Sequence, residues 1–93
     1  MTIDARGFER IAKALAEPRR VEILRLISER PGITCTEVVN AIEVGQSTVS
    51  HHLKELFEAD LVTGVKEGQC IRLTSNPAAL RAFVDSLNPL AQP

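Results

Sequence analysis

The sequence predicts a mainly α-helical domain with one small β-hairpin, in the order ααααββα. Three observations predict it. Apolar residues recur at helical spacing in a series of separate segments, for example Phe8, Ile11, Ala12 and Leu15 at i, i+3, i+4 and i+7. One stretch, residues 61–74, is rich in β-branched residues and carries Lys66-Glu67-Gly68-Gln69 at its middle, the pattern of two short strands around a glycine-containing turn. Proline and glycine (Pro18, Pro31-Gly32, Pro77, Pro89) fall between the periodic segments and punctuate them.

The first helix is predicted over residues 4–16, with Asp4 as its N-cap. Pro18 ends it and suits the first position of the next helix, residues 18–30. There Val21, Leu24 and Ile27 form one apolar line, and Ile23 and Leu26 widen it, so this helix packs on two sides. Thr34 and Glu37 have the spacing of a capping box for a short third helix, residues 35–42, with Val38, Val39 and Ile42 as its apolar face. Glu43-Val44-Gly45 is a short connection in which Gly45 takes a positive φ or a cap position. A fourth helix follows over residues 46–59. Its stripe is Val49, Leu53, Leu56 and Phe57, and the opposite face carries Ser47, His51, Lys54 and Glu58. After the hairpin, Asn76-Pro77 opens a last helix, residues 77–88, with Leu80, Phe83, Val84 and Leu87 on one face.

With 93 residues, the chain fits one domain over residues 1–93 with a thin core. Its composition, 44% hydrophobic and 25% charged, is that of an ordinary globular protein. It has no apolar run approaching the roughly 18 residues of a membrane span, and its N-terminus lacks the uninterrupted apolar stretch of a secretory signal, so a cytoplasmic location away from membranes is expected. A net charge of −1 argues against indiscriminate affinity for nucleic acid. Any DNA-binding role must rest on pattern, local charge and dimerisation.

The third and fourth helices, joined by a turn of three residues, read as a helix-turn-helix. The second helix of such a unit lies in the major groove, where side chains near its start reach base edges. Gln46, Ser47, Thr48, Ser50, His51 and Lys54 are the candidates on that helix, and Lys66, Gln69 and Arg72 are the candidates on the hairpin, whose tip can lie against a neighbouring backbone or minor groove. Gln pairs with adenine, and Ser and Thr donate or accept. The same polar residues can also serve only as caps and solvated surface.

GQSTVSHHLKELFEADLV followed by KEGQCIRL resembles the ArsR/SmtB family of winged helix-turn-helix repressors. The likeness lies in Gln46, Ser50, His52, Leu53, Leu56, Glu58, Ala59, Leu61 and Val62, and in LAEPRRVEILRLI, which is similar to the family's opening segment. The resemblance implies a homodimer built from the terminal helices, residues 4–16 and 77–88. It also implies a repressor that reads a near-palindromic operator in double-stranded DNA through residues 46–59. The two-fold axis sets the two reading helices about 34 Å apart. Asp60 departs from the family, standing where a glycine is usual, as do Cys70 and Leu73, where aromatics are common in the wing. Residues 46–60 hold one Lys and three acids, so positive support is expected from Arg19, Arg20, Lys66 and Arg72, and from the two histidines when protonated.

Many relatives respond to metals. The family's Cys-x-Cys pair falls on Thr34 and Thr36 here, and the last helix offers Asp85 with no His, so no metal site and no cofactor are expected. Cys35 and Cys70 are candidates for thiol-based sensing, Cys35 the more so because a helix N-terminus lowers a thiol pKa; otherwise both are small hydrophobes. No nucleophile-base set or phosphate loop stands out, which speaks against an enzyme. The rival reading is a winged-helix module that binds protein rather than DNA, and an activator is as compatible with the sequence as a repressor.

Overall fold

A computed structural model describes residues 2–93. Its elements are α1 (Ala5–Leu15), α2 (Pro18–Glu29), β1 (Ile33–Thr34), α3 (Cys35–Ile42), α4 (Gln46–Glu58), β2 (Val62–Glu67), β3 (Cys70–Ser75) and α5 (Pro77–Leu87), followed by a short 3-10 turn, Asn88–Ala91. This is the predicted order with one strand and the terminal turn added.

Local chemistry accounts for most boundaries. The Asp4 carboxylate accepts from the Gly7 N–H at 2.7 Å and starts α1. Pro18 occupies the first turn of α2, and Glu17 caps it through the Arg19 N–H. The capping box of α3 is complete: Thr34 Oγ1 accepts from the Glu37 N–H, and Glu37 Oε1 accepts from the Thr34 N–H. In the turn between α3 and α4, Gly45 takes the second of its two expected roles, the cap position. Glu43 takes the left-handed conformation, with φ 59°, while Gly45 is the N-cap of α4 in extended conformation. The α4 terminus is a Schellman arrangement. The Leu61 N–H donates to Leu56 O and the Asp60 N–H to Phe57 O, which places Asp60 at φ 59°. The glycine usual at this position would meet that geometry without strain.

β2 and β3 pair antiparallel from Val62↔Ser75 to Glu67↔Cys70 around the two-residue turn Gly68-Gln69. Gly68, first of the two, holds φ 63°, the pattern of a II′ turn. β1 adds to the outer side of β3 through Ile33↔Leu73 and Thr34↔Arg72, giving the sheet order β1-β3-β2. Two residues are too few to show a period in the sequence; pairing with β3 creates this strand.

The core gathers Ile23 and Ile27 of α2, Val38 of α3, Val49 and Leu56 of α4, then Leu61 and Leu73. The terminal helices spend part of their apolar surface on it. Ile11 and Ala14 of α1 and Ala82 and Phe83 of α5 are buried, and the Phe8 and Phe83 rings lie 4.9 Å apart. Val84, beside Phe83 on the predicted apolar face of α5, stays half exposed.

Candidate nucleic-acid interface

α4 is amphipathic by design of its spacing. Val49, Leu53 and Leu56 fix it on the core, and this turns Gln46, Ser47, Thr48, Ser50, His51 and Lys54 to solvent together. All six are exposed, and among the described residues none of their side chains is held by a hydrogen bond or ion pair to the rest of the protein. Gly45 supplies no side chain to the α4 N-terminus, so the first-turn amides stay open to an acceptor from outside.

Charge along α4 is unevenly placed. Residues 46–54 carry Lys54 and no acid, while Glu55 and Glu58 sit towards the far end. Glu55 faces Arg20 of α2 at 3.9 Å. The excess of acids over residues 46–60 is therefore set back from the exposed start of the helix.

Positive support from outside α4 is thinner than expected. Arg20 is turned inward, its side chain 15% exposed, and is paired with Glu55. Arg19 pairs with Glu22 at 3.0 Å. Arg72 donates from Nε to Glu67 and from Nη1 to the Gly32 carbonyl at 3.0 Å, so it ties the hairpin to the loop before β1. Lys66 and Gln69 stand exposed near the hairpin tip. The hairpin is held against α4 at Gly64, where a Cβ would lie 2.8 Å from Ile71 Cγ2 and 3.4 Å from the Phe57 ring.

The two histidines part company. His51 is exposed, whereas His52 is 9% exposed and its Nδ1 lacks a protein partner. Burial, aided by the Arg20 charge, pushes His52 below the usual histidine range. The expectation that both histidines lend positive charge is thus corrected for His52. The signal was present in the sequence: His52 follows Val49 by three residues and precedes Leu56 by four, which places it on the apolar stripe.

The thiols are both free. Cys35 is half buried at the start of α3, beside an 80 Å³ recess shared with Val39, Gln46 and Ser50. Burial pushes its pKa up against the opposing backbone hydrogen bond, which corrects the expected lowering by the helix N-terminus. Cys70 is exposed on the hairpin opposite Glu67. Among the described residues, no three His, Cys, Asp or Glu side chains gather as metal ligands, and no helix is long and apolar enough to cross a membrane.

The family model of bacterial regulatory proteins of the arsR family matches residues 17–63, from the cap of α2 into β2. The chain is 41% identical over 64 residues to the arsenical resistance operon repressor of Bacillus subtilis, covering 68% of this chain and 60% of that one. It is 35% identical over 78 residues to the protein of the same description from Staphylococcus aureus, covering 84% and 74%. The chain therefore spans less than two thirds of the length of some relatives it matches. Among solved structures, the homodimeric winged helix-turn-helix DNA-binding domain of a Mycobacterium bovis protein superposes with a TM-score of 0.74 at 25% identity. That match covers 90% of this chain and 78% of that chain.

Proposed function

Because the chain belongs to the arsR family of bacterial regulatory proteins, we propose that it is a sequence-specific, DNA-binding transcriptional repressor that acts as a cytoplasmic homodimer. The observation that carries this reading is the start of α4, where six polar side chains and the open first-turn amides share one solvent-facing surface free of internal partners. A helix with that face lies in the major groove with its start towards the bases, its amides near a phosphate and its side chains at base edges.

In this reading residues 1–93 act as one winged helix-turn-helix domain. Gln46, Ser47, Thr48, Ser50 and His51 read bases, and Lys54 steadies the backbone. Lys66 and Gln69 contact the neighbouring backbone or minor groove, and Arg72 holds the hairpin at the angle that lets them do so. Pairing of the terminal helices sets two α4 helices on successive turns of a near-palindromic operator. A homodimer also doubles the few phosphate contacts available to a subunit of net charge −1.

The test is binding of the purified, reduced protein to DNA from upstream of its own gene, at two salt concentrations, with scrambled DNA as control. Sequence-specific, salt-sensitive binding with one dimer per site is the expected result. Ser47→Ala or His51→Ala then weakens specific binding by roughly 1–3 kcal/mol if the residue holds a base, and equally on all sequences if it holds a phosphate. Equal affinity for operator and scrambled DNA, unaffected by either substitution, would favour a protein-binding module.

A further inference from the structure

The surface of the chain away from α4 carries two apolar features without an occupant. One is a groove of about 340 Å³ between α2 and the start of α5, floored by Val21, Leu24, Leu61 and Leu80, with Pro77 at its edge and Ser28 on its wall. The other is Leu90, which projects from the 3-10 turn after α5 with 80% of its surface exposed and packs against none of the chain's own core. Between them runs a line of α5, Leu80, Val84 and Leu87, of which Val84 is 48% exposed while Leu80 and Leu87 are partly buried against the chain's own core.

We propose that Leu90 of one copy seats in the α2–α5 groove of a second copy, and the reverse, so that each subunit's C-terminal turn completes the other's wall. The inference rests on the homodimer reading and assigns it a specific contact. The spacing of α5 supports it. A two-fold axis crossing α5 between Phe83 and Val84 runs the helix antiparallel to its copy. That register sets Leu80 against the partner's Leu87 and brings the two Val84 side chains together. It also brings Leu90 level with the partner's Pro77, at the edge of the groove.

Charge fits the same register. Arg81 and Asp85 are both exposed and make no ion pair among the described residues, although they stand four apart on one helix. In the antiparallel pair each comes within one residue of level with its opposite in the other copy. Parallel pairing would put like charges together and would leave Leu90 beside its own copy, far from either groove.

Two measurements test the contact. Leu90→Asp alters an exposed side chain, so the far-UV spectrum stays unchanged. By sedimentation equilibrium, the dimer dissociation constant is expected to rise roughly 100-fold or more, because two buried leucines are lost per dimer. In the second, Leu90→Cys and Ser28→Cys are introduced on separate chains, each with Cys35→Ser and Cys70→Ser. The chains are mixed and treated with a short bis-maleimide, and a cross-linked heterodimer is expected.

A dimer that tolerates Leu90→Asp and yields no heterodimer overturns this seat while leaving the homodimer intact. Cross-linking within one chain, seen when both cysteines are carried by the same dilute chain, also overturns it, since the groove would then receive its own tail. An unaltered chain that sediments as a monomer at every concentration removes the homodimer reading and this contact with it.

Discussion

Gly45 shows how a single residue can trade stability for an open surface. Ser, Asp and Asn are strong N-caps because their side chains satisfy a first-turn amide. Gly45 leaves those amides free at φ −62° and ψ 152°, a conformation open to any residue, and its Cβ position is empty. Gly45→Asp should therefore raise the melting temperature slightly while lowering operator affinity at least tenfold, since a carboxylate would occupy the amides and repel phosphate. A thermal melt beside a DNA titration reads both effects, and unchanged affinity would mean that the α4 N-terminus meets no phosphate. Asp60 is the converse case. It holds a left-handed backbone at the Schellman C′ position, so Asp60→Gly should stabilise the fold by about 0.5–1 kcal/mol in urea denaturation.

At the scale of elements, the helix-turn-helix and the hairpin are separate local structures that meet in one core, where Val62 and Leu73 of the strands lie buried with Val38, Val49 and Leu56. α3 and α4 are each specified by a cap and a stripe that the sequence displays, and the capping box at Thr34 and Glu37 needs only residues three apart. The hairpin turn was equally legible, because Gly68 fits a two-residue turn. Its angle to α4 was not. That angle depends on Phe57 against Gly64 and on Arg72 reaching Gly32, 40 residues away in sequence. Arg72→Ala removes the bonds to Gly32 and Glu67 and should cost about 1 kcal/mol of stability. It should also speed amide hydrogen exchange in β3 and the hairpin tip more than in α4. Equal exchange in both elements would show that the apolar contacts of Val62, Leu73 and Phe57 hold the hairpin without Arg72.

Across the whole molecule, the buried contact between α2 and α4 links stability to pH. His52 sits neutral beside Arg20 with its folded-state pKa below the ordinary value of 6.5. The unfolded chain takes up the proton first, so the contribution of neutral His52 is complete above pH 6.5 and declines as pH falls below it. The denaturation midpoint should therefore fall between pH 6.5 and 5, and His52→Gln should flatten that part of the curve. A wild-type profile as flat as the variant's would mean that His52 does not titrate differently on folding. Glu37, held low by its bonds to Thr34, acts at a lower range, its contribution being lost as pH drops through and below the ordinary carboxylate value.

The sequence by itself determined the order of helices and hairpin, the caps at Asp4, Thr34 and Gly45, and the polar face of α4, because each depends on residues within about one helical turn or one tight turn of each other. Tertiary structure alone decided which side chains on those elements remain free. It engaged Arg20 and Arg72 in internal pairs, whereas the inward turn of His52 was legible in its place on the α4 stripe. It created β1 from Ile33 and Thr34, which pair with the distant Leu73 and Arg72 of β3, and it divided α5 between Phe83 in the core and Val84 outside it. The physical reason is one of range: periodicity and capping are local, whereas burial and charge pairing depend on neighbours that only the folded chain brings together.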